Sequence, residues 1–378
     1  MIRKVKSIFS RYKLIKLNFR LIIYVLAVTI IGIIAIGSAS QGENYQFKQI
    51  VGFGIGIVVA FLVTLISYKI IFKFYWVIYL IAVGGLLLVV VLGRTVLGAT
   101  RWIDLGFFTF QPSELAKIFI IIFVAVYLHR HNETLDTAKT LLLTFVFAMI
   151  PVGLIFIEPD LSSTIVIFVT FCAIMILSNM KGKIIGTIIL VAIPIVLVFG
   201  YFVLKPDSGI LQVYQYNRIV GFFQENNEKA KEIRYQQENS LLAIGSGGLY
   251  GKGIENNDVT SVKNGKFLAE SHTDFIFTII GEELGFIGGA AVILLLLLIV
   301  IECFITGSRA PDISGRLFCY GFGVLIAIQT FVNISVATMM LPNTGITLPF
   351  VSYGLTSLLS LYFGVAIVLN IGLQNRKA

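Results

Sequence analysis

Stretches of almost unbroken apolar residues recur along the whole chain, at about 21–38, 49–68, 72–92, 115–128, 141–157, 161–178, 184–204, 275–302, 317–340 and 352–372. Most approach the roughly 20 residues that a helix needs to cross a bilayer. The run at 115–128 is short. Pro112 followed by Glu114 makes a favourable first helical turn, so this span is expected to begin at Pro112. The run at 275–302 is long enough to tilt or to project beyond the lipid. One connection, 205–274, is much longer than the others. It holds a polar stretch from Gln224 to Asn239, read as a surface helix, and an apolar turn-rich segment from Leu241 to Gly248, read as lying against the membrane. The expected fold class is an all-α integral membrane protein of about ten transmembrane helices, with one large extracytoplasmic loop between helices 7 and 8. A basic segment (1–20), a single polytopic domain (21–373) and a short tail (374–378) make up the chain.

Composition agrees with this reading. The 378 residues are 57% hydrophobic and 13% charged, where a soluble domain carries about 25% charged residues. Too little polar surface remains to cover a globule in water, and the matching solvent is lipid.

The net charge of +9 could point to nucleic acid. Its placement argues otherwise, because seven basic residues, Arg3 to Arg20, stand ahead of the first span. Such a segment orients a span and contacts anionic lipid headgroups, so no nucleic acid partner is expected. With the N-terminus inside, the inner connections hold ten more Lys and Arg, whereas the short outer ones hold only Lys48, Arg94 and Arg101. Both termini are therefore expected in the cytoplasm, and the long loop outside. The N-terminus lacks a small-residue cleavage site and does not read as a cleavable signal. Cys172, Cys303 and Cys319 show no disulfide framework.

In such a chain, function is sought where polar groups are expensive. Four clusters stand out, all in the outer half. Arg101-Trp102 is followed by Gln111-Pro112-Ser113-Glu114 and Lys117. Glu114 and Lys117 share a helix face at i,i+3 and can pair, so Lys117 is either a structural ion-pair member or a cation for a phosphate. Glu158-Pro159-Asp160 forms a short connection in which Asp160 could simply cap the next helix. Glu270 to Asp274, with Gly281-Glu282-Glu283, sets two carboxylates along one apolar helix. Ser271 and Asp274 also have capping-box spacing, so Asp274 could merely start that helix. His272 has no partner residues for a zinc site. The fourth cluster, Leu341 to Gly354, carries two prolines and two glycines that break the helix at the outer surface. Irregular backbone at membrane depth lines a cavity or is covered by protein; a plain inter-helix turn is the alternative. The Gly-rich run Gly245 to Gly253 lacks the Gly-Lys-Ser/Thr ending of a phosphate loop.

Taken together and in this order, these clusters resemble the SEDS family of cell-wall polymerases, which includes RodA, FtsW and a sporulation relative. The likeness runs from the first span to the last. It is sharpest at Gly98-Ala-Thr-Arg-Trp102, Gln111 to Lys117, Glu158-Pro-Asp160, Ala243 to Gly253, His272 to Phe277, Gly281 to Gly285 and Leu348 to Gly354. Ala269, Leu355 and Thr356 depart from the usual family residues. The compact chain, without long cytoplasmic tails, leans toward RodA.

The resemblance implies a peptidoglycan glycosyltransferase that polymerises lipid II, an undecaprenyl-pyrophosphate-linked disaccharide peptide, at the outer face of the bacterial cytoplasmic membrane. A class B penicillin-binding protein is the implied partner, beside the membrane lipids. The family's essential aspartate maps onto Asp274, as a base or a metal ligand. Lys117, Arg101, Glu114, Asp160, His272 and Glu282 are the expected substrate-binding residues, with Mg or Mn as the candidate cofactor. A lipid II flippase is the rival class. Clustering of the polar groups on one side, with no matching inner set of broken helices, argues against it.

Overall fold

The computed structural model describes residues 17–40, 44–96, 99–104, 106, 109–178, 180–182, 186, 216, 218–219, 222, 228–254, 261, 268 and 271–374. Among these, eight helices are long and apolar enough to cross a membrane. They are α1 (Phe19–Ala39), α2 (Tyr45–Leu65), α4 (Tyr75–Leu92), α5 (Pro112–Arg130), α6 (Ala138–Ile157), α9 (Ile276–Ser308), α10 (Ile313–Ala337) and α11 (Leu355–Leu373). A short α3 (Tyr68–Lys73), the apolar α7 (Leu161–Leu177) and the polar α8 (Glu228–Ser246) are the other α-helices whose bounds lie among the described residues. The expected span at 184–204 falls outside the described residues, Gly186 apart. So does most of the loop 205–274, apart from isolated positions, the stretch from Glu228 to Ile254 and the last residues from Ser271 to Asp274.

The helices sort by what surrounds them. α2 and α4 leave apolar side chains such as Phe61, Leu80 and Val91 exposed, the last at 78%. An apolar belt of this extent is stable only against lipid. α5 is enclosed instead, and even Glu114 and Lys117 are only 7% and 3% exposed. α10 and α11 pack beside it. The centre of the bundle is thus built on α5, which carries one of the polar clusters.

Interruptions in the helices are satisfied by side chains, as an apolar solvent demands. Pro151 inside α6 has no N–H for the carbonyl of Phe147; the Tyr79 hydroxyl donates to that carbonyl at 2.9 Å. Where α2 ends before α3, the Asn370 amide donates to the Thr64 carbonyl at 2.7 Å and its oxygen accepts from the Tyr68 N–H at 2.7 Å.

A small antiparallel sheet was not expected from the sequence. β1 (Arg94–Val96), β2 (Ala99–Asp104) and β3 (Thr109–Phe110) lie at one end of the bundle, in the connection between α4 and α5. Ile103 pairs with Phe110 and Asp104 with Thr109, so the strands lead directly into the Gln111-Pro112 start of α5.

α9 contains a break. Gly285 takes φ +65°, ψ −163° and splits the helix into Ile276–Leu284 and Phe286–Ser308. The left-handed φ needs glycine. The helical bonds lost there are remade with the turn that follows α8. Lys252 and Gly253 donate from their N–H groups to the carbonyls of Glu282 and Glu283, each at 3.0 Å, while Phe286 and Ile287 donate to Gly248 and Leu249 at 2.8 and 3.2 Å. The Gly-rich run therefore docks on a helix as a structural clasp. The helical part of this segment also reaches Ser246, further than its apolar, turn-rich composition suggested.

Candidate functional site

Asp274 does not start a helix in the structure. The residues 271–275 form turns, Phe275 is the N-cap of α9, and no side-chain capping bond is made there. What shapes this turn is the capture of consecutive carbonyls by other segments. The Tyr353 N–H donates to His272 O at 2.9 Å, the Ser352 hydroxyl to Thr273 O at 2.6 Å and the Asn333 amide to Asp274 O at 2.9 Å. The same Asn333 amide donates to Ile346 O at 2.7 Å. The proline- and glycine-broken segment before α11 is thereby locked to the turn, and its irregular backbone borders a cavity.

That cavity encloses about 520 Å³. It gathers Arg101, Glu114, Lys117, Asp160 and Asp274 from three of the four polar clusters, and the fourth cluster supplies the stretch Gly345 to Thr347. Lys117 Nζ lies 2.7 Å from Glu114 Oε1. Arg101 Nη1 lies 3.8 Å from Asp160 Oδ1, and its Nη2 donates to the carbonyl of Pro159. Asp160 also accepts the Ser163 N–H at 3.0 Å, so it caps α7 while facing Arg101. The one Asp160 carboxylate thus both caps α7 and faces the Arg101 guanidinium across the cavity wall. The Arg101 Nε is buried without a hydrogen-bond partner.

Two of the expected residues stand apart. Glu282 does not line the cavity; it is buried and paired to Lys252 at 2.8 Å, with the Ser261 hydroxyl at 3.4 Å. Its cost within an apolar helix is met by that lysine, not by a wet site. His272 lies behind the cavity wall, its ring stacked on Tyr45 at 4.2 Å between centroids.

Sequence reading missed several cavity residues. Arg218 comes from the long loop and enters over Gly345: a Cβ there would meet Arg218 Nη1 at 2.8 Å and Asp274 Oδ2 at 3.2 Å. Gly345 has φ +72°, so glycine is required both by backbone and by space. Tyr45, Lys48, Gln329 and Tyr353 also line the cavity. Arg218 sits in a polar loop with nothing around it to mark it. Tyr45 and Lys48 were placed ahead of their helix, which begins four residues earlier than the apolar run.

Glu158 was read only as part of a turn. It is 2% exposed, and neither carboxylate oxygen has a hydrogen-bond partner. Burial, and secondly the charge of Asp160, push its carboxyl up to about 8, with Arg101 acting in the opposite sense.

The family described as "Cell cycle protein", which unites FtsW, RodA and SpoVE, matches residues 15–377. The chain belongs to that family. Among relatives of this FtsW/RodA/SpoVE member, the probable peptidoglycan glycosyltransferase FtsW of Coxiella burnetii is 32% identical over 94% of this chain and 96% of its own length. That of Tolumonas auensis is 36% identical over 78% of this chain and 74% of its own. In solved structures, the rod shape determining protein RodA of Thermus thermophilus is 27% identical, with a TM-score of 0.69 over 96% of this chain and 98% of that one. A chain from a peptidoglycan synthase complex, in a study of how polymerization and crosslinking are coordinated, gives 25% identity and a TM-score of 0.76 over 96% of this chain and 99% of that one. The fold expected of the family is present. FtsW and RodA both appear among the similar proteins, so the lean toward RodA is not what distinguishes this chain.

Proposed function

We propose that this chain is a peptidoglycan glycosyltransferase that polymerises lipid II at the outer face of the cytoplasmic membrane, for elongation or division. The observation that carries it is the single cavity in which Asp274 meets the Lys117–Glu114 and Arg101–Asp160 pairs, within a chain of this family. The basic-residue asymmetry supports cytoplasmic termini and an outer loop 205–274, in one membrane domain. A class B penicillin-binding protein is the partner, a reading supported by the similarity to a chain of a peptidoglycan synthase complex.

In the reaction, the sugar 4-hydroxyl of one lipid-linked unit attacks the anomeric carbon of another. A glycosidic C–O bond forms, and the C–O bond to the pyrophosphate breaks with its electron pair on the leaving group. The Asp274 carboxylate takes the hydroxyl proton. Arg101 and Lys117 face the charge that develops on the pyrophosphate. Glu114 and Asp160 hold those cations in place before substrate arrives, and Arg101 keeps an unused Nε–H.

Among the described residues, no three His, Cys, Asp or Glu converge to hold a metal by themselves. Magnesium binds through one or two carboxylates plus substrate phosphates, and Asp274 would hold it as the alternative to serving as the base. Such an ion would neutralise pyrophosphate charge.

Purified protein given labelled lipid II, with and without its transpeptidase, should produce glycan polymer on a gel. Translocation of lipid II in proteoliposomes without polymer would overturn the reading in favour of a flippase.

A further inference from the structure

The cavity has two chemically different walls. One carries the buried ion pairs on α5 and beside α7. The other is aromatic: Tyr45, at the start of α2, and Tyr353 have ring centroids 4.8 Å apart, with His272 stacked behind Tyr45 at 13° between planes. Tyr45 and Tyr353 line the cavity, and His272 does not. Lys48 Nζ stands 5.8 Å from the Tyr45 ring centroid at the same wall. The group is rigidly held. Gln49 donates to Ser352 O at 3.2 Å and accepts from the Gly354 N–H at 3.3 Å, and Tyr353 is bonded to the His272 carbonyl. This wall is therefore built as one piece with the turn that carries Asp274.

Nothing in the pyrophosphate chemistry requires two tyrosines here. A pyranose ring presents axial C–H groups on its faces, and these suit the flat face of an aromatic ring. We propose that Tyr45 and Tyr353, with His272 as backing, form the subsite for the attacking saccharide, with Lys48 beside it as the cation for that unit's own phosphate. The inference rests on the polymerase reading and assigns polarity to the site: the acceptor sugar lies on the aromatic wall, next to Asp274, and the leaving pyrophosphate lies against Arg101 and Lys117.

The test is steady-state polymerisation of lipid II by the full-length protein in detergent. Tyr45→Ala and Tyr353→Ala should each raise KM about tenfold or more with a smaller change in kcat, because binding is lost and the chemical groups are kept. The Phe variants keep the ring face and should restore KM to within about threefold of the parent. Thermal unfolding of each variant separates misfolding from lost binding. Folded Ala variants with parental KM would overturn the platform, as would a kcat loss at unchanged KM. Phe variants as impaired as the Ala ones would also overturn it, showing that the hydroxyls, and not the faces, matter. A parent protein that makes no polymer is a separate result and sinks the polymerase reading itself.

Discussion

The side-chain amide of Asn333, on α10, donates to the backbone carbonyl of Asp274 at 2.9 Å, although 59 residues separate the two in sequence. Asn333 is 1% exposed and also ties down Ile346. It fixes where the Asp274 carboxylate points without touching the cavity. Asn333→Leu removes both bonds and leaves two carbonyls unpaired, so kcat for polymerisation should fall roughly 10-fold or more. KM should change less. An unchanged kcat in a folded Asn333→Leu protein would show that the turn holds itself.

Asp274→Asn keeps the size and polarity of the side chain and removes the carboxylate. In the structure the N-cap of helix α9 is Phe275 and not residue 274, so the helix should not depend on the Asp274 carboxylate. Polymerisation should drop by about 100-fold, the scale of losing a general base, while thermal unfolding in detergent shifts little. Asp274→Glu displaces the charge by one methylene and should also be poorly active. Near-parental polymer from the Asn variant would remove Asp274 from the mechanism.

Lys117→Met leaves Glu114 buried and uncompensated. Breaking a buried pair in this way costs about 3–5 kcal/mol, so instability could imitate a catalytic defect. The double variant Lys117→Met, Glu114→Gln removes both charges and should recover most of the lost stability. If Lys117 contacts pyrophosphate, polymerisation stays low in the double variant even as unfolding returns toward parental. Recovery of activity together with stability would make the pair structural.

Glu158 gives a pH signature. Its carboxyl titrates near 8 in the fold, against 4.5 for the ordinary group. Between those values the unfolded chain has released the proton and the folded one retains it, so stability falls as pH rises through about 4.5 to 8. Below the lower value there is no contribution, and above the higher one the loss is complete. Thermal unfolding from pH 5 to pH 8 should show this decline. Glu158→Gln should flatten it and raise the midpoint at pH 8. An unaltered slope in that variant would place the proton uptake elsewhere.

Orientation can be read by thiol labelling in a background without the native cysteines. Tyr250 is 81% exposed in the turn after α8, and Tyr250→Cys should react with an impermeant reagent on intact cells. Asn132→Cys, in the connection between α5 and α6, should react only after permeabilisation. The reverse pattern would move the cavity to the cytoplasmic face.

The spans were legible because lipid imposes length and apolarity on each helix separately. Pro112 marked the true start of α5, and the i,i+3 spacing of Glu114 and Lys117 foretold their pairing. Three things were not legible. The hairpin at 94–104 owes its existence to backbone pairing across the end of α5, with no strong alternation to announce it. Glu282 and Lys252 lie 30 residues apart, and only the break at Gly285 brings them together. The spacing of Ser271 and Asp274 suggested a cap, but Tyr353, Ser352 and Asn333 claim the carbonyls of that turn and hold it out of the helix.

The break at Gly285 also sets how mechanical load runs through α9. Ile276–Leu284 is joined to the turn at 248–253 by bonds that a continuous helix would have spent on its own next turn. A displacement of that turn is therefore transmitted first to the short rod Ile276–Leu284, and through it to Asp274 just ahead of its first residue. The lipid-embedded rod beyond Gly285 can stay anchored while this happens. The Asp274 end of α9 is thus geared to the turn at 248–253 rather than to the rest of its own helix.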